Sequence, residues 1–184
     1  MKKKFVSILS ALLASVLLTT SALAGGSVKL GGSVKLSNEE FSLGSLVAKG
    51  TLTGLGNNDV TMVLTASGIP VITCTNSGNN DVPGQSSPRI TANGQQFLPG
   101  DDPARRNGKY VFTTETEEEE VSWNEAGCPN AGWTARVDFV FWTNATLSLY
   151  KGTDPNNLGD LIGSQDYICT TTRFPASVVC ERAD

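Results

Sequence analysis

The sequence predicts an all-β chain, an antiparallel β-sandwich with Ig-like or Greek-key connections and two disulfides, with a jelly roll as the nearest alternative. Three observations carry that expectation. Apolar residues alternate with polar ones over most of the chain after Phe41, which is the period of a half-buried strand and leaves little sign of a 3.6-residue repeat. Turn-forming segments recur every eight to fifteen residues, as they do in sandwiches of many short strands. Four cysteines, Cys74, Cys128, Cys169 and Cys180, stand behind an export signal, and the oxidising compartment beyond that signal favours disulfides.

The export signal comes first. Lys2, Lys3 and Lys4 precede an apolar run from Phe5 to Leu18, and Ala22-Leu23-Ala24 offers small residues for cleavage, so residues 1–24 read as a signal peptide of bacterial type. The mature chain then begins at Gly25 with 11 cations against 18 anions, a net charge of −7. An acidic surface argues against nucleic acid or an anionic membrane as partner. After residue 24 no apolar stretch approaches the roughly 20 residues of a bilayer helix, and the expected location is secreted or at the cell surface.

Residues 25–37 contain GGSVKL twice in tandem. Paired glycines at a terminus read as a flexible leader, and a donated edge strand is the functional alternative. The single domain is expected over 38–184.

Within it, Leu46, Ala48, Gly50 and Leu52 share one strand face, and Gly54-Leu55-Gly56-Asn57-Asn58-Asp59 follows as a turn. Val60, Met62, Leu64 and Ala66 mark a second strand, Gly68 a break, and Ile69 to Thr75 a third strand whose Pro70 calls for an edge or bend. Asn76 to Pro88 is a loop, and Asn93-Gly94 between two short runs is the favoured hairpin dipeptide. Tyr110, Phe112 and Thr114 alternate before the acidic run at 115–120. From Trp133 to Trp142 the alternation is strictest, and it assigns Trp133, Ala135, Val137, Phe139 and Phe141 to the core. Ala145, Leu147 and Leu149 continue in the next strand; runs ending in Tyr167-Ile168-Cys169 and Val178-Val179-Cys180 complete eight or nine strands.

The segments Gly54 to Thr61, Cys74-Thr75-Asn76 with Pro83-Gly84-Gln85, and Cys128-Pro129-Asn130 with Trp133-Thr134-Ala135 together resemble a pattern of small exported bacterial β-sandwich proteins. The resemblance spans about residues 45–150, implies a paired Cys74 and Cys128, and carries no activity. Cys169 and Cys180 fall outside it. They end successive runs joined by a turn near Arg173 to Ala176, so they can meet across a hairpin at the roughly 5.5 Å Cα separation of a disulfide. That leaves Cys74 for Cys128.

Chemistry is constrained chiefly by the absence of histidine, which removes every Ser-His-Asp, Cys-His and zinc-His arrangement. No C-x-x-C spacing, phosphate loop or dinucleotide fingerprint is present, so no cofactor, metal or catalytic residue is assigned. Glu115, Glu117, Glu118, Glu119, Glu120 and nearby Glu125 read as a solvated loop or strand end, with calcium or a glycosidase carboxylate pair as lesser readings. Asp154, Asn156, Asn157 and Asp160 form a second oxygen-rich loop, read as a plain hairpin turn because EF-hand spacing is missing. Asp59, Asp81, Asp101 and Asp102 sit in further loops. Trp142, with Arg136 and Asp138 on its strand face, offers a stacking platform for a sugar, against the plainer reading that it packs under a loop. Asn144-Ala145-Thr146 matches a glycosylation sequon without weight in a bacterial protein.

The function expected is an exported, non-catalytic β-sandwich that binds or displays something outside the cell, with a glycan or self-association as partner classes. A structural subunit assembling by N-terminal strand addition and a carboxylate-dependent glycan-active enzyme are the alternatives.

Overall fold

The computed structural model describes residues 26–43, 45–105, 108–117, 120–152 and 158–184; the expected signal peptide lies outside them. The described residues form ten strands and no helix: β1 (Ser27–Gly31), β2 (Val34–Ser42), β3 (Val47–Thr53), β4 (Val60–Asn76), β5 (Asp81–Pro83), β6 (Ile90–Leu98), β7 (Lys109–Glu115), β8 (Trp133–Lys151), β9 (Leu161–Arg173) and β10 (Ala176–Arg182). Two antiparallel sheets pack face to face. One has the order β1-β2-β3-β7, the other β10-β9-β8-β4-β5 with β6 also on β4.

Alternation puts the core where it was expected along most of the chain. Leu36, Leu52 and Phe112 from the first sheet meet Met62, Leu64, Leu147 and Leu149 from the second, and all are fully buried. Burying each such side chain contributes about 1.5–3 kcal/mol.

Of residues 25–37, expected as a flexible leader, 27–31 lie in β1 and 34–37 in β2. The two GGSVKL copies pair with each other, Val28 opposite Leu36 and Lys29 opposite Lys35, because Val34 and Leu36 enter the core and leave an edge for the first copy. The glycines that suggested flexibility supply the turn, Gly32 having a φ of +54°.

Three expected breaks are not breaks. Gly68 lies inside the single strand β4, and a Cβ there would come 2.6 Å from Val140 Cγ1; the glycine admits the close approach of β8. Pro70 sits between the stretches of β4 covered by β6 (up to Gly68) and by β5 (from Thr73), so its missing N–H costs no ladder bond on that side. Asn93-Gly94 forms no hairpin but pairs with Thr65 and Leu64 in mid-β6. Gly94 is required because a Cβ would fall 1.8 Å from Glu115 O, where β7 ends across it.

The largest correction concerns β8, which runs unbroken to Lys151. Register shifts opposite Ser67/Gly68 and Val71/Ile72 leave Thr143 and Asp138 without a partner on β4. Each bulge exchanges the faces of everything beyond it. Trp142 is therefore in the core, 3% exposed, in step with Ala145 and Leu147. Phe139 and Phe141, expected in the core, lie on the opposite face with Val71 and Ile69, half-buried in an edge-to-face pair 5.1 Å apart. Trp133 and Val137 are half-buried and pack on a second, smaller cluster of Ile72, Cys74, Ala126 and Cys128.

Both disulfides are formed. Cys74 bonds Cys128, and Cys169 bonds Cys180, the latter pair directly opposed in the β9–β10 hairpin.

Candidate functional site

From Asn144 onward β8 pairs with β9; from Trp133 to Thr143 its only ladder partner among the described residues is β4, with Thr171 Oγ1 of β9 donating to Trp142 O. That half of the strand borders a groove of about 700 Å³. Val137, Val140 and Trp142 belong to its lining, as do Thr134, Arg136 and Asp138 on the other parity. Residues of both parities border the same space, so the groove wraps from the inner face of β8 round its unpaired edge.

The opposite wall is a compact turn after β7. Thr116 N donates to Leu46 O and Leu46 N to Thr116 Oγ1, each at 3.0 Å, and Glu117 N donates to Asn93 O at 2.8 Å. The chain then makes one helical turn. Ser122 N donates to Glu125 Oε2 while Glu125 N donates to Ser122 Oγ, the reciprocal arrangement of a capping box, and Ser122 Oγ donates to the same Oε2. The Ser122 hydroxyl and then its N–H hold the Glu125 carboxyl below the usual carboxylate range. Ala126 N and Cys128 N close the turn on Ser122 O and Trp123 O, and the Cys74–Cys128 disulfide ties it to β4. Ser86 N donates to Ala126 O, joining a third loop to it. Trp123 stands on this fixed turn, 37% exposed.

The chain has three tryptophans, and Trp123, Trp133 and Trp142 all line this groove. The sugar platform expected at Trp142 is thus displaced. Trp142 is buried, and its Nε1–H has no hydrogen-bond partner among the described residues, while Trp123 and Trp133 present more surface. Its expected companions do border the groove. Asp138 accepts from Thr73 Oγ1 and from Arg136 Nε; the Thr73 hydroxyl first, then the Arg136 guanidinium, lower its pKa against the cost of burial.

Glu117 and Glu120 line the groove too and are exposed at its rim; Glu118 and Glu119 lie outside the described residues. The remaining loop acids do not gather. Asp59 Oδ1 accepts from Gly100 N, Asp81 Oδ1 from Thr75 Oγ1, and Asp102 Oδ2 from Tyr110 OH, each fastening its own loop. Asp154, Asn156 and Asn157 lie outside the described residues, and exposed Asp160 binds Lys151 N through its carbonyl. Among the described residues no three His, Cys, Asp or Glu side chains are grouped so as to hold a metal ion, and no helix is long and apolar enough to cross a membrane.

Trp123 and Trp133 were not singled out as site residues from the sequence. One signal was there: all three tryptophans fall within residues 123–142, flanking the cysteine whose bond folds that stretch back on β4. Comparison with protein-family models, with curated proteins and with solved structures finds no match to this chain.

Proposed function

We propose that the protein is an exported, non-catalytic binding module whose ligand site is the groove beside β8. The observation that carries this reading is the convergence of Trp123, Trp133 and Trp142 on one concave surface rimmed by charged and hydroxyl side chains, the composition of a site that captures a ligand by area and orients it by a few polar contacts. Two formed disulfides support a place outside the cytoplasm. The assembly alternative is less favoured, since the first GGSVKL copy is already paired as β1 with its own β2. With no histidine in the chain, proton transfer near neutral pH would rest on carboxylates, and of those bordering the groove Asp138 is engaged by Thr73 and Arg136 while Glu117 and Glu120 are exposed at the rim.

Co-sedimentation of the purified mature protein with insoluble envelope and extracellular-polymer fractions tests the site. Trp133→Ala and Trp123→Ala are expected to lose retention, while Val111→Ala, 66% exposed on the other sheet, keeps it. Equal retention by all three variants would remove the groove as the binding site.

A further inference from the structure

Resting on the groove as the ligand site, we infer that the ligand is a short neutral or amino-sugar oligosaccharide. A pyranose presents an apolar face and a polar rim, and the groove offers the complement. Trp123 and Trp133 supply aromatic surface, and the indole ring is the side chain best suited to that face. Around them stand Ser122, Thr134, Arg136 and Asp138, which donate and accept at the level of sugar hydroxyls. Two of these are held in place before any ligand arrives: Asp138 is fixed by Thr73, and Arg136 by Asp138 at 2.8 Å. Preorganised polar groups lose less freedom on binding. Trp142 adds to the same lining a buried Nε1–H that has no acceptor among the described residues.

Charge narrows the class. Glu117, Glu120 and Asp138 face one guanidinium, that of Arg136, among the described lining residues. Uronic or sulfated sugars would meet like charge, whereas neutral hydroxyls accept the carboxylates as hydrogen-bond partners and a free amino group gains from them.

An extended peptide adding as a strand to the edge of β8 before Trp142 is the competing occupant. The bulge at Asp138 opposes it. With its partner-less residue in the middle of the free edge, the row of backbone donors and acceptors is broken, and bulges and charges are the devices that block edge pairing. Recognition therefore falls to side chains, which suits a sugar better than a strand.

Intrinsic fluorescence is the assay, since every tryptophan of the chain reports from the groove. The disulfide-intact mature protein is titrated with chitotriose, cellotriose, maltotriose, glucosamine trimer, trigalacturonate and a Ser-Val-Lys repeat peptide. A saturable change with at least one neutral or amino trimer is expected, weakened about tenfold or more by Trp133→Ala and by Arg136→Gln and retained in Trp123→Phe. Circular dichroism of each variant establishes that it is folded. Stronger binding of trigalacturonate overturns the charge argument and the class. Peptide binding lost in Trp133→Ala, with no sugar binding, overturns the sugar while the groove stands. If no trimer binds yet Trp133→Ala abolishes co-sedimentation, the oligosaccharide class fails alone; if neither assay responds to Trp133, the binding site fails with it.

Discussion

Arg182 Nη2 lies 2.7 Å from each carboxylate oxygen of Glu39, and Glu39 is fully buried. A glutamate reaches that position because β2 bulges between Ser37 and Glu40 against β3, with Asn38 at a φ of +55°, a left-handed conformation that asparagine tolerates. The bulge turns Glu39 inward, where Tyr167 OH also donates to Oε1 at 3.1 Å. Strands β2, β9 and β10 are thereby joined across the two sheets by charge, beside the edge contact of Phe41 on Tyr167.

Removing one partner of that pair takes the opposing charge from the other, although Arg182 Nη2 still donates to Gly26 O and Glu39 Oε1 still accepts from Tyr167 OH. Glu39→Leu or Arg182→Met alone is expected to cost about 3–5 kcal/mol, whereas Glu39→Leu with Arg182→Met together should cost clearly less than the two single changes added, since a buried pair replaced by apolar groups loses no charge compensation. Urea unfolding of the cycle measures this. Simple additivity would show that the two side chains do not depend on each other.

Alkaline pH probes the third member. Burial, then the Glu39 carboxylate, push the Tyr167 phenol well above its ordinary range. The unfolded chain releases that proton above a pH of about 10 while the folded chain keeps it. Stability owed to the group is therefore whole below about pH 10 and declines as the pH rises beyond it. In urea titrations from pH 9 to 12 the native protein should weaken more steeply than Tyr167→Phe; parallel slopes would remove Tyr167 from the account.

The two disulfides differ in reach. Cys74 and Cys128 are 54 residues apart, Cys169 and Cys180 only 11. In the chain-entropy treatment the longer closure is worth about 4 kcal/mol and the shorter about 3 kcal/mol. Cys74→Ala with Cys128→Ala should lower Tm at least as far as the β10 pair does, and in addition loosen the Trp123 turn, raising hydrogen exchange at 122–128. Unchanged exchange there would mean that the turn's own hydrogen bonds suffice to hold it.

How much of this was legible follows from what each signal measures. Parity reads burial as long as a strand keeps step, which is why Leu46, Ala48 and Leu52 or Met62 and Leu64 fell on the buried face as expected. A bulge adds one residue without marking it in composition, so the two bulges of β8 exchanged Trp142 with Phe139 and Phe141 invisibly. Gly68 and Gly94 read as punctuation from their conformational freedom, yet both are present for space, against Val140 and Glu115. Spacing of turn formers sees neighbours along the chain only. The groove is assembled from β8, from the turn after β7 and from Leu43 and Ile90, and no local pattern connects them.

Space also governs the seam where β1 meets β9. A Cβ on Gly163 would fall 1.9 Å from Leu30 O, and one on Gly31 2.2 Å from Ile162 O, so the two glycines let the backbones of the first and second sheets touch at that side. Both obstacles are carbonyls, and neither can swing away as a side-chain tip would. Gly163→Ala must therefore move β1 as a unit, and overpacking of this kind costs about 1–3 kcal/mol. Val28 and Leu30, which pack on the core cluster, would lift with it. The expected result is a lower urea midpoint together with faster hydrogen exchange across Ser27–Gly31, while Gly132→Ala, whose Cβ would meet nothing nearer than Asn130 Oδ1 at 3.1 Å, stays close to the native protein. Protection of β1 undiminished in Gly163→Ala would show that the strand is held by its pairing with β2 and not by its fit against β9.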